Sequence, residues 1–79
     1  GHTQAQALLG LCYNQGIGTP KNYQLAAKWY EQAAHKGNAL AQFNLASLYY
    51  NGKGVEHDLI HAYAWTSLAA DSGLHSAIE

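Results

Sequence analysis

The 79-residue chain is 48% hydrophobic and carries four lysines and five acids, a composition that folds rather than staying disordered and has room for one core only. A net charge of −1 with no arginine lacks the basic footprint of a nucleic-acid binder or of a protein held on an anionic membrane. The longest run without a polar side chain, Ala7 to Tyr13, is far shorter than the ~18 residues needed to span a bilayer.

In a chain without methionine, the opening Gly1-His2 reads as a tag or processing remnant on a segment excised from a longer protein. The single cysteine, Cys12, forms neither an internal disulfide nor a multi-cysteine zinc site. Set against itself at an offset of 36, the sequence repeats 13 residues identically, among them Ala5/Ala41, Gln6/Gln42, Leu9/Leu45, Tyr13/Tyr49, Gly16/Gly52, Gly18/Gly54, Ala26/Ala62 and Trp29/Trp65. A fixed period of this length is the mark of a repeat architecture.

In chain order, the first predicted helix covers about residues 3–15, with Ala5, Leu8, Leu9, Cys12 and Tyr13 on one apolar face. Gly16 and Gly18 end it and turn the chain. Asn22 caps a second helix over about 22–36, whose buried stripe is Ala26, Trp29, Tyr30 and Ala33 with Ala34 beside it, and Gly37 closes it. The third helix, about 39–51, repeats the first. After the turn at Gly52 and Gly54, Asp58 caps a fourth helix over about 58–72, with Ala62, Trp65, Ala69 and Ala70 inward and Gly73 closing it. Ala77 recurs in register with Ala41, so a stub from Leu74 is expected to begin a further unit. The fold predicted is all-α, two helix–turn–helix repeats at 3–38 and 39–74 followed by 75–79 as the start of a third or a C-terminal stub. Each hairpin leaves an apolar face that its neighbour covers.

These residues resemble the Sel1-like repeat family, an α-solenoid relative of the tetratricopeptide repeat, whose pattern runs roughly A-x-x-x-L-G-x-x-Y-x-x-G-x-G-V and then D-x-x-K-A-x-x-W-Y-x-x-A-A-x-x-G. The first unit matches at Ala5, Leu9, Gly10, Tyr13, Gly16, Gly18, Ala26, Trp29, Tyr30, Ala33, Ala34 and Gly37; the second departs mainly at Ala46 for Gly and Thr66 for Tyr. The resemblance implies a protein-binding scaffold and names no ligand.

Candidate chemistry is sparse. His57 and His61 stand four apart around Asp58, a spacing that on one helix face can hold zinc, but the capping position of Asp58 leaves His57 in the turn, so no metal site is predicted. Cys12 reads as a small core residue, and the glycine pairs as helix-ending turns rather than phosphate cradles. None of Ser47, Ser67, Ser72 and Ser76 has a lysine three residues on, which removes the Ser-x-x-Lys acyl-enzyme motif. No catalytic residue and no cofactor is expected. The recurring Trp29, Trp65, Tyr13 and Tyr49 read as core pillars.

The side chains that do not repeat are left for recognition. On the first helix these are Gln4, Ala7, Leu11, Asn14 and Gln15, and on the third Leu40, Phe43, Ser47, Tyr50 and Asn51. The repeat fold implied by the resemblance lines its concave groove with them. Their size and low charge suit a protein or peptide partner. A glycan- or peptidoglycan-binding envelope module is the alternative, with aromatic and amide side chains meeting sugar. Self-association through exposed repeat edges is a further expectation.

Overall fold

The computed structural model describes residues 2–78, and side chains through residue 71. It consists of α1 (His2–Gln15), α2 (Tyr23–His35), α3 (Ala39–Asn51) and α4 (Leu59–Ile78), with no strand among the described residues. Each helix packs on the next, and α3 also reaches back to α1, so two helical hairpins stack in chain order.

The two hairpin turns are built alike. Ile17 N–H donates to Cys12 O at 2.9 Å and Lys53 N–H to Leu48 O at 3.0 Å; Asn22 N–H donates to Tyr13 O at 2.9 Å and Asp58 N–H to Tyr49 O at 3.1 Å. Each pair of bonds is one 36-residue period apart. Gly54 carries φ 76°, and a Cβ there would collide with the Tyr23 backbone. Glycine is thus required at that point both for the left-handed turn and for its seat on the start of α2. Lys53 Nζ stands 5.3 Å from the Tyr23 ring centre, a cation–π contact across the same junction.

The join between hairpins depends on Gly37 and Asn38. The N–H groups of Lys36, Gly37 and Asn38 return to the carbonyls of Ala33 and Ala34, which closes α2. Asn38 then accepts from Ala41 N–H at 2.9 Å and caps α3. The predicted counterpart, a stop at Gly73, is corrected: α4 runs on to Ile78. Leu74 follows Gly73 where Asn38 follows Gly37 and offers no capping acceptor, and a glycine inside a helix costs only about 1 kcal/mol. The side chains from Ser72 onward, including Ala77 on which the expected third unit rested, lie outside the described residues.

The core is built mostly from alanine. Ala7, Ala26, Ala27, Ala33, Ala34 and Ala41 are buried around Tyr30 and Leu45, the largest fully buried side chains. Small residues bring the helix axes close, and the two large ones fill the remaining space. Tyr13, Tyr49 and Trp65 pack against this cluster, and Trp65 meets the His35 ring edge-on at 5.2 Å. Trp29, expected in the buried stripe, is half-buried, as Trp65 is.

Two features of the predicted core are corrected. Ala5, Leu8 and Leu9, expected inside, are exposed, because the face of α1 that carries them is the one that α3 turns toward the preceding hairpin. Ala70, expected beside the buried stripe, is exposed, whereas its equivalent Ala34 lies against Gln42 of α3.

The departures Ala46 and Thr66 compensate each other. A Cβ on Gly10 would lie 2.6 Å from the Tyr30 ring, so that ring requires glycine opposite it. The second repeat has threonine in place of the ring and tolerates alanine. Gly10→Ala is therefore expected to destabilise the fold by about 1–3 kcal/mol through overpacking. In urea denaturation the Gly10→Ala/Tyr30→Thr double variant should cost less than the sum of the two single changes; strict additivity would refute the coupling.

Candidate functional site

A groove of about 490 Å³ opens between α3 and α4. From α3 it is lined by Phe43, Ala46, Ser47 and Tyr50, and from α4 by Leu59, Ala62, Tyr63 and Thr66. None of these side chains is charged. Phe43, Tyr50, Leu59 and Tyr63 are all exposed, while Ala46 and Ala62 form the buried floor. Apolar residues at i, i+3 and i+7 of α3 (Phe43, Ala46, Tyr50) face those at i, i+3 and i+4 of α4 (Leu59, Ala62, Tyr63), the spacing that aligns side chains along a helix. The result is an apolar channel between two helices, shaped to take a third helix or an extended apolar segment.

The structure divides the ten predicted groove residues. Phe43, Ser47 and Tyr50 line this channel. Leu40 is exposed on α3 outside its lining, and Gln15 is exposed on α1. Leu11 and Asn14 are half-buried. Gln4 accepts from Asn38 Nδ2 at 3.4 Å, and Asn51 Nδ2 donates to Ser47 O at 2.9 Å, so these amides are already engaged within the chain. Ala7 is corrected: it is fully buried in the cluster formed by α1, α2 and α3 and does not face an open groove. Leu59, Tyr63 and Thr66 were missed. They differ from Tyr23, Ala27 and Tyr30 one period earlier, so the signal that marks them is the same loss of repetition, on the second and fourth helices instead of the first and third.

Two buried polar groups flank the stacked hairpins. Gln42 Nε2 donates to Ala34 O at 3.1 Å, tying α3 to the end of α2. Burial pushes the Tyr30 phenol above its ordinary pKa, with the Asn14 side chain opposing that shift.

The histidine pair at 57 and 61 is a capping arrangement. Asp58 Oδ1 accepts from the N–H groups of Ile60 and His61 at 3.0 and 3.1 Å, and Oδ2 lies 2.7 Å from His61 Nδ1. The His61 ring stacks on Tyr49 with centroids 4.7 Å apart, which directs it toward α3 rather than toward His57. No cluster of three or more metal-ligating side chains exists among the described residues, and no helix there is long and apolar enough to cross a membrane.

The Sel1 repeat family model matches residues 3–38 and 39–74. The chain is 44% identical over 73 residues to human protein sel-1 homolog 2, covering 91% of this chain and 11% of that protein. It is 37% identical over 59 residues to HRD3A of Arabidopsis thaliana, an ERAD-associated E3 ubiquitin-protein ligase component, covering 75% of this chain and 9% of that one. Among solved structures, c5321, a protective antigen of uropathogenic Escherichia coli with an SLR fold, superposes with a TM-score of 0.89 at 43% identity, over 91% of this chain and 15% of the antigen. The chain thus spans about a tenth of the length of these curated relatives.

The Asp58 cap generates a pH prediction. Hydrogen bonds from the His61 backbone and then its side chain hold the Asp58 carboxyl below the ordinary value of 3.8. Its stabilising contribution is therefore complete above that value and lost as pH falls through the lowered one. Asp58→Ala should melt below the wild type at neutral pH, and the gap should close in strong acid. A gap that stays constant down to acid unfolding would contradict this.

Proposed function

The chain belongs to the Sel1 repeat family, and from that premise we propose that it is a protein-interaction scaffold that receives an apolar helix or peptide in the channel between α3 and α4. Sel1 repeat proteins act in protein–protein interaction, and HRD3A, as a ligase component, works within an assembly. The observation that carries the proposal is the channel's lining, with four large apolar side chains exposed together and no charge among them. Clustered apolar exposure of this kind marks an interface.

The scaffold performs no chemistry in this reading; its work is complementarity. Phe43 and Tyr63 supply contact area, the buried Ala46 and Ala62 leave depth for an incoming side chain, and Ser47 and Thr66 supply hydroxyls at the rim. Aromatic anchors in a desolvated groove dominate such binding energies. The glycan alternative has less support, since the amides of Gln4 and Asn51, which would meet sugar hydroxyls, bond within the chain.

An apolar, uncharged channel binds with little dependence on ionic strength. A library of amphipathic helical peptides screened against the chain should yield binders whose affinity changes by less than about twofold between low and high salt. Phe43→Ala and Tyr50→Ala should each weaken them by about tenfold or more. A steep loss of affinity with salt, or binders indifferent to both substitutions, would overturn the proposal.

A further inference from the structure

We propose that Asn51-Gly52 is this chain's site of spontaneous deamidation, and that the cap closing α3 holds the reaction in check. Asparagine converts when the backbone nitrogen of the following residue loses its proton and attacks the side-chain Cγ. The N–Cγ bond forms, the Cγ–Nδ2 bond breaks, and the amide nitrogen departs as ammonia, which leaves a cyclic succinimide. Water then opens that ring at either carbonyl, giving aspartate or, where the main chain becomes routed through the side chain, isoaspartate. The only co-reactant is water.

Sequence selects one position. The chain has five asparagines, Asn14, Asn22, Asn38, Asn44 and Asn51, followed in turn by Gln15, Tyr23, Ala39, Leu45 and Gly52. A side chain on the following residue hinders attack by its nitrogen, and only Gly52 has none. One period earlier stands Gln15-Gly16, at a turn of the same form, with φ 70° at Gly16 and 66° at Gly52. Glutamine must close a larger ring, so the first turn pairs the same backbone with slower chemistry.

The fold opposes the reaction at Asn51. This residue ends α3, and Gly52 follows in the left-handed conformation with its N–H donated to Leu48 O. The attacking nitrogen is thus held along the helix. Asn51 Nδ2 donates to Ser47 O at 2.9 Å, which directs the side chain back over the preceding turn. Helical ψ at Asn51 keeps nitrogen and Cγ apart, and cyclisation requires that residue to leave the helix. That barrier is local. Asn51 is exposed, and the bonds that must open are those of the last turn, with Lys53 N–H on Leu48 O and Asp58 N–H on Tyr49 O. Helix ends open at far lower cost than the whole fold.

Conversion alters the second turn. A carboxylate cannot donate to Ser47 O, and negative charge is unfavourable at the C-terminus of a helix. Isoaspartate also lengthens the main chain by a methylene, at the point where the end of α3 is tied to the start of α4. The new charge arrives beside Ser47, which lines a channel that otherwise has none.

Incubation of the whole chain at mildly alkaline pH, folded and in urea, followed by peptide mapping in a mass spectrometer, tests both parts. In urea, acid should appear at Asn51 more than about tenfold faster than at any other asparagine or at Gln15. The folded chain should convert Asn51 at no more than about a tenth of the urea rate. Acid appearing first at another residue overturns the site, and equal rates in the folded and unfolded chain overturn the control by the cap. Asn51→Gln installs the residue of the first turn and should abolish the reaction with helix content unchanged by circular dichroism; persistence of the same acid yield also overturns the site. Gly52→Ala is unsuitable, because its φ of 66° strains a side chain and the added Cβ would lie 3.2 Å from His57 Cβ. Asn51→Asp reproduces one product and should melt below the wild type at neutral pH; coincident melting overturns the effect on the turn.

Discussion

The packing of α3 against the first hairpin is the contact on which the rest depends. Ala41 and Leu45 are fully buried there, and Gln42 donates to the Ala34 carbonyl. A helical hairpin of this size buries too little apolar surface to be stable by itself. Stacking turns two amphipathic hairpins with exposed faces into one continuous core, and the alanine-rich contact lets the helices approach closely enough for Tyr30 and Leu45 to fill what remains.

That packing is directional. The first hairpin has its forward face covered and its rear face bare, and the second has the reverse. The same residue types therefore have opposite fates according to which repeat they occupy: Leu9 is exposed and Leu45 is buried, Ala34 is buried and Ala70 is exposed. The apolar channel between α3 and α4 is one result of this asymmetry. Its lining carries no charge, which suits recognition by shape and apolar contact rather than by electrostatic steering.

The substitutions between the repeats are equally physical. Tyr30 requires Gly10 because its ring occupies the space a Cβ would need. With Thr66 in the ring's position, Ala46 fits, and the space released becomes part of the channel. A pair of departures from the repeat pattern thus reshapes the channel that the stacking leaves open. His57, Asp58 and His61, whose spacing resembles a metal site in the sequence, instead form a turn in which Asp58 starts a helix and His61 holds it against Tyr49 of its neighbour.

The amino-acid sequence by itself determined the period, the four helices, the glycine turns and the caps at Asn22 and Asp58. Those features depend on local backbone preference and on side chains a few positions away. It also singled out Phe43, Ser47 and Tyr50, which break the repeat on a face that stays open. Only the tertiary structure decided which copy of each repeated face is covered, because burial depends on what lies on either side of a helix. For that reason Ala7 went inside while Leu8 and Leu9 stayed out, and Leu59 and Tyr63 joined the channel from the facing helix. The continuation of α4 past Gly73 has the same origin: glycine permits a turn, but a capping acceptor and a neighbouring helix are what make the chain take it.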